Sequence, residues 1–197
     1  MLSSIRFESI DKRSLENSMG LSTTAEKMVK LNLGARDQAL KGFINIDLDK
    51  HEGVDVIGDA SDLSYFADGA ISEIYASHIL EHFPHTRTLA VLKEWNRVLV
   101  KGGILYVGVP DFRRTVELYL KYNMQDWIVN SLWGDQGYKT AFHYTGFDFD
   151  RLASFLEQAG FSESSQVDFF PFKTDNCSDK LDTIERKPVS LNVIAIK

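Results

Sequence analysis

Cysteine is almost missing from this chain. Cys177 stands alone, so no intramolecular disulfide can form, which fits a reducing compartment. Long apolar runs are missing too: none approaches the roughly 20 residues of a membrane-spanning helix. The first residues lack the apolar core of a secretory signal. The protein is therefore expected in the cytoplasm, away from membranes. Excess basic charge is also lacking. Lys and Arg number 22 against 28 Asp and Glu, a net charge of −6, so neither nucleic acid nor anionic lipid is an expected partner. No internal repeat or low-complexity tract interrupts the chain. What remains is an ordinary globular composition, 44% hydrophobic over 197 residues, enough for one domain with one sizeable core.

Residues 1–28 are polar and weakly patterned, and read as an extension before the domain; Ser22-Thr23-Thr24-Ala25-Glu26 could cap a short helix. From residue 29 onward short runs rich in Val and Ile, bounded by turn residues, read as strands. They cover Met28–Leu33, Phe43–Asp47, Val54–Ile57, Ile71–Ala76, Ile104–Val109, Gln166–Phe170 and Ser190–Ile196. A helix is expected from Thr86 to Val100, where Leu89, Leu92, Trp95, Val98 and Leu99 recur at helical spacing, stopped by Lys101-Gly102-Gly103. Residues 111–133 also read as helical. Another helix spans Asp148–Gln158, stopped by Gly160, and Pro171–Pro188 reads as a polar hairpin-like loop. Strands alternating with helices imply a Rossmann-like, doubly wound, mostly parallel seven-stranded sheet in a three-layer α/β/α arrangement. The last two strands have no helix between them, so one antiparallel strand is expected in the edge region.

Two of these runs organise the rest. Lys30-Leu31-Asn32-Leu33 ends in Gly34-Ala35, and Phe43-Ile44-Asn45-Ile46 ends in Asp47. Parallel strands point their carboxyl ends at one crevice, where ligands bind. Gly34 allows a sharp turn and close backbone approach. Asp47 is placed to accept hydrogen bonds from a ribose diol, or else to cap a turn at Leu48-Asp49-Lys50.

Leu31-Asn32-Leu33-Gly34, Gly42-Phe43-Ile44-Asn45-Ile46-Asp47 and His78-Ile79-Leu80-Glu81-His82 stand in an order that resembles the class I S-adenosylmethionine-dependent methyltransferases, in particular a small subgroup with these three motifs. Glu94-Trp95-Asn96-Arg97-Val98-Leu99-Val100-Lys101-Gly102-Gly103, Val109-Pro110-Asp111 and Ala159-Gly160-Phe161 extend the resemblance over residues 29–197. It implies S-adenosyl-L-methionine as cofactor. Gly34 and Ala35 would face its methionine part, Asp47 the ribose with Leu48 beside the adenine, and Asp59 and Ala60 the adenine edge. Ser77 and His78 would line the cleft near the methyl group. Two departures from the pattern are visible. Arg36 replaces a second glycine, and the segment from Gly34 to Phe43 is too short for a crossover helix. Arg36 then either pairs with the cofactor carboxylate or lies in solvent. These departures also leave room for a binding module that has the fold without the chemistry.

Methyl transfer from a sulfonium mainly needs proximity and orientation, and needs a base only for a protonated nucleophile. His78 and His143 are the catalytic candidates, since imidazole titrates near neutrality. His78 is expected chiefly to line the cleft, and His143, in the aromatic Phe142–Gly146 stretch, to touch substrate. Glu81 and His82 are expected to be structural, and Asp111 to cap a helix. His78-Ile79-Leu80-Glu81-His82 also matches a zinc-peptidase pattern. Pro84 would cut that helix at once, no third ligand is marked beyond Glu157 or Glu163, and no metal is expected. A nicotinamide enzyme is disfavoured because no full Gly-x-Gly-x-x-Gly follows the first strand. Trp127, Trp133, Tyr138, Phe142 and Tyr144 are expected either to cover the cleft or to form core. The acceptor is expected to be a small molecule or a saccharide.

Overall fold

A computed structural model describes residues 5–6, 28–137, 139–172, 174 and 176–197. Within them lie eight strands, in chain order β1 (Ile5–Arg6), β2 (Lys30–Leu33), β3 (Ile44–Asp47), β4 (Val56–Ile57), β5 (Ile71–Ser77), β6 (Leu99–Pro110), β7 (Glu163–Val167) and β8 (Ser190–Ile196). They form one sheet in the order β1-β4-β3-β2-β5-β6-β8-β7. Only the two pairings made by β8 are antiparallel. The expected seven strands and the antiparallel member are present. The two-residue β1 adds an eighth, from inside the segment read as an extension; residues 1–4 and 7–27, including the Ser22–Glu26 cap, lie outside the described residues. The strand order reverses between β2 and β5, which marks the switch point where this class of sheet opens a crevice.

Side chains alternate across the sheet with a period of two. Leu31, Leu33, Ile74, Ala76, Leu105, Val107, Val193 and Ala195 face one side. There they pack with Val91, Leu92, Trp95 and Val98 of helix α1 (Thr88–Val98) and with Leu152 and Leu156 of helix α4 (Phe149–Ala159). Tyr75, Tyr106 and Ile194 face the other side and meet Phe43, Phe170 and Phe172 in an edge-to-face aromatic cluster.

No helix joins β2 to β3, β3 to β4 or β4 to β5 among the described residues. The first of these connections was expected to be coil, and it is. Two buried asparagines replace the packing a helix would give it. Asn32 Nδ2 donates to Gln38 O and to Asn45 Oδ1, and Asn45 Oδ1 also accepts from Leu40 N–H at 2.7 Å. Asn45 Nδ2 in turn donates to Asp55 at 3.0 Å.

Several boundaries differ from the sequence reading. The last turn before Gly102 belongs to β6, because Leu99 already pairs with Ile71. Residues 111–133 form two helices, α2 (Phe112–Tyr122) and α3 (Gln125–Trp133), broken at Asn123, which sits at φ 53°. Strand β7 starts at Glu163 and ends at Val167, ahead of the apolar Phe169-Phe170. It is an edge strand, mostly exposed, so its polar Glu-Ser-Ser-Gln sequence carries no apolar signal. Asp111 and Asp148 cap α2 and α4, accepting from Arg114 N–H and Arg151 N–H.

Candidate active site

A cleft of about 900 Å³ opens at the carboxyl ends of β2, β3, β4 and β5. Gly34, Arg36, Asp47, Leu48, Asp59, Ala60, Ser77, His78 and His143 all line it. Ala35 does not. It is buried, and its N–H donates to Ile46 O, so it serves the strand pair instead of the cleft.

Each lining residue has a local reason for its place. Gly34 turns at φ 68°, a conformation glycine adopts without strain, and a Cβ there would sit 2.6 Å from Ile79 Cδ1, so a side chain would have to push the Ile79 tip aside. Arg36 follows at φ 41°, with its N–H donated to Asp47 Oδ2 at 2.8 Å. Asp47 Oδ1 accepts from Asp49 N–H at 3.0 Å. The carboxylate thus caps the turn after β3 while each oxygen keeps further acceptor capacity at the cleft. Leu48 is half-exposed there. Asp59 Oδ1 accepts from both Ser61 N–H and Ser61 Oγ–H. Helix α1 holds that loop: Trp95 Nε1 donates to Ala60 O, Glu94 Oε1 accepts from Leu63 N–H, and Arg97 donates to Leu63 O and Phe66 O.

Past β5 the backbone is strained. His78 adopts φ 54°, in the left-handed region that non-glycine residues avoid, at a cost of about 1–3 kcal/mol. It is pinned there by its N–H on Gly108 O, by Nε2 2.7 Å from Ser190 Oγ, and by Nδ1 3.1 Å from Glu81 Oε1. Glu81 is wholly buried. Burial alone would raise its pKa, but His78, His82 and His143 around it outweigh that and hold the carboxyl below its usual value. His143 is driven the other way from imidazolium: burial lowers its pKa, opposed by Glu81.

Sequence reasoning missed several contributors. Asn176 and Cys177, from the loop between β7 and β8, reach the cleft. The loop is tied down through Ser77 Oγ 2.6 Å from Ser178 Oγ and Asn192 Nδ2 donating to Ser178 O. Burial pushes the Cys177 thiol up, which leaves it a weak nucleophile. His82, expected to be structural, also lines the cleft and lies against His143, their ring centroids 4.9 Å apart. Of the aromatic candidates, Tyr144 lines the cleft, whereas Trp127, Trp133 and Phe142 are not among its lining residues and Tyr138 lies outside the described residues.

The profile of a family described as "Methyltransferase domain" matches residues 21–107. Several solved structures share the fold. A SAM-dependent methyltransferase from Archaeoglobus fulgidus aligns with TM-score 0.59 at 16% identity, covering 94% of this chain and 92% of that one. One from Methanosarcina mazei aligns at 0.56 and 19%, covering 91% and 96%. A 1,6-didemethyltoxoflavin-N1-methyltransferase from Burkholderia thailandensis, solved with S-adenosylhomocysteine, aligns at 0.53 and 16%, covering 94% and 76%. No curated protein matches. The fold is therefore the Rossmann-like one of SAM-dependent methyltransferases. Among the described residues no helix is long and apolar enough to cross a membrane.

Proposed function

We propose that this chain is a class I S-adenosylmethionine-dependent methyltransferase, with residues 29–197 as its catalytic domain, of the subgroup whose three motifs it carries. One observation carries the reading. Gly34, Asp47 and Asp59, at three neighbouring strand ends, converge on one cleft at the switch point of the sheet. In that cleft the Asp47 carboxylate accepts from the ribose hydroxyls, Leu48 and Ala60 flank the adenine, and Asp59 accepts from its amino group. Gly34 admits the methionine part, and Arg36 lies where it can meet the cofactor carboxylate. When bound, the cofactor supplies an activated methyl group. The chain's own residues orient it and exclude water.

His78, His143 and Tyr144 lie at the acceptor side. His143, its pKa lowered chiefly by burial, is held toward the neutral ring, which presents one nitrogen lone pair at the acceptor end. The acceptor is a small molecule or saccharide, in keeping with the acidic charge and the size of the cleft.

The test is a thermal melt with S-adenosylmethionine, S-adenosylhomocysteine and NAD. Ligand at 100 times its dissociation constant adds about 2.7 kcal/mol. For a domain of this size that raises the melting temperature by roughly 5–10 °C. Both sulfur compounds should give this shift and NAD none. No shift with either sulfur compound at millimolar concentration ends the proposal.

A further inference from the structure

The buried carboxylate of Glu81 poses a problem that methyl transfer does not solve. The side chain is almost fully inaccessible to water, yet its one close ion-pair contact is His78 Nδ1, 3.1 Å from Oε1 and outside good hydrogen-bond geometry. Oε2 has no hydrogen-bond partner among the described residues. A buried ionised carboxylate is costly unless it is paired or holds a metal. The strained His78 lies beside it, but that ring is engaged on its far side by Ser190. What faces Glu81 from elsewhere in the chain is His143, with Nε2 4.0 Å from Glu81 Oε1. His82 completes the group, and one ligand atom from each of the three lies within 4.8 Å of the others.

The tautomers follow from the partners. His82 Nδ1 lies 2.9 Å from Phe142 O, and His143 Nδ1 lies 3.0 Å from Ser131 O. A carbonyl can only accept, so both Nδ1 atoms carry the proton. In the neutral rings each Nε2 then presents a lone pair. Histidines that hold a metal through one nitrogen are oriented in this way, the other N–H being given to a backbone carbonyl. The loop bearing His143 is itself fastened to Glu81, whose carbonyl accepts from Tyr144 N–H at 2.8 Å. Two imidazole nitrogens and one carboxylate oxygen form a donor set suited to zinc and its neighbours in the first transition row. Magnesium, which prefers oxygen and water, is poorly served.

We propose that Glu81, His82 and His143 form a divalent-metal site of the zinc class at the acceptor end of the cleft, with its open positions taken by an oxygen atom of the methyl acceptor. Donors around tetrahedral zinc lie about 3.4 Å apart, so the three side chains need to close by roughly 1 Å. His82 and His143 both line the cleft, so the open positions face it. The ligand set differs from the His78–His82 pair suggested by the sequence pattern, and it replaces the expectation of no metal. The assignment of an oxygen acceptor rests on the methyltransferase reading; the metal site does not.

The full-length protein, stripped with a chelator, is titrated calorimetrically with zinc chloride, magnesium chloride and S-adenosylhomocysteine separately. One zinc should bind per chain with a dissociation constant in the micromolar range or below, and magnesium at least a hundredfold more weakly. His82→Gln and His143→Gln should each weaken zinc at least a hundredfold while keeping the wild-type affinity for S-adenosylhomocysteine. Cobalt(II) added to the wild-type protein should show the visible absorption of an imidazole-bound ion, which keeps the test decisive where a variant fails to fold. Substoichiometric zinc overturns the site, as does zinc affinity equal in wild type and both variants, or lack of the cobalt spectrum. So does a loss confined to Asp49→Asn, which would move the ion to the Asp47-Asp49-His51 group. Zinc binding without S-adenosylhomocysteine binding would sink the methyltransferase reading and leave the metal site standing.

Discussion

Asp47 shows how one side chain serves two ends. Its oxygens already accept from Arg36 N–H and Asp49 N–H, so the carboxylate shapes the turn that it also offers to a ligand. Asp47→Ala removes both acceptors together with those meant for the ribose. Cofactor affinity should fall by roughly 1.5–3 kcal/mol, the range for hydrogen bonds to a charged group. Stability without ligand should fall as well, by about 1–2 kcal/mol, because two backbone donors lose a partner. Calorimetric titration well below the melting temperature, paired with a melt of the same variant, separates the two effects. Affinity equal to wild type in a less stable protein would leave Asp47 as a turn cap alone. The strand-end position of this residue was legible in the sequence, since an apolar run ending in aspartate has few other readings. Its bond to Arg36 N–H was not, because that depends on how a turn folds back. The pairing of His82 with His143 was also invisible. The two stand far apart in the chain, and no local pattern marks residues that meet only when a loop closes over a strand end.

Helix α1 explains why Glu94-Trp95-Asn96-Arg97 stands where it does. Trp95 is fully buried and still spends its N–H on Ala60 O, while Glu94 and Arg97 clamp residues 63–68 from the same helix face. Arg97 lies 2.6 Å from Asp68 and 2.7 Å from Glu94. Hydrogen bonding to Arg97 lowers the Glu94 pKa in spite of partial burial. Arg97→Met strands two carbonyls and two carboxylates. Glu94 is only partly covered and Asp68 is exposed, so the cost lies near the low end for charged hydrogen bonds, about 1.5 kcal/mol. Because the clamped loop carries Asp59 and Ala60, affinity for S-adenosylhomocysteine should drop as well, which a surface ion pair would not cause. A denaturant melt and a binding titration together check this. The amphipathic period announced the helix itself; the clamp was hidden, since its partners are backbone atoms of a loop. The strand β7 was misplaced for the opposite reason: an exposed edge strand has no apolar face to betray it.

On the scale of the whole molecule, ionisable groups set a pH window. The folded pKa of His143 lies below its ordinary value of 6.5, chiefly through burial. The unfolded chain therefore takes up a proton that the folded one refuses, and the stability contribution is present above that value and lost as pH falls through and below it. Asp182 adds a second step. It is buried against Arg114 at 2.7 Å and accepts from Ile184, Glu185 and Lys187 N–H. Burial would raise its pKa, but Arg114 and these amides hold it well below the usual carboxylate range. Its contribution is present above the ordinary value of 3.8 and disappears at more acid pH. Melting temperature should thus fall in two stages on acidification, the first beginning near pH 6.5 and absent from His143→Gln. A single acid transition identical in wild type and variant would show that His143 is not held neutral. The mostly parallel sheet and its one antiparallel strand were readable at this scale from element order, but the strand order was not, because β2, β3 and β4 pair in parallel with no helix between them.

The placement of β8 also governs how the chain must be made. This last strand does not extend the sheet outward; it enters between β6 and β7 and is the sole described partner of β7. Until Leu191 and Ala195 leave the ribosome, Val109 and Leu105 have no neighbour on that side, and β6 stands as a long, hydrophobic, open edge. The half of the sheet that carries Gly34, Asp47 and Asp59 is synthesised well before this gap is filled. Emergence of residues 190–196 is then what fills the gap, and a nascent chain stalled ahead of it lacks the Ser190 contact that pins His78 and presents a surface prone to aggregation.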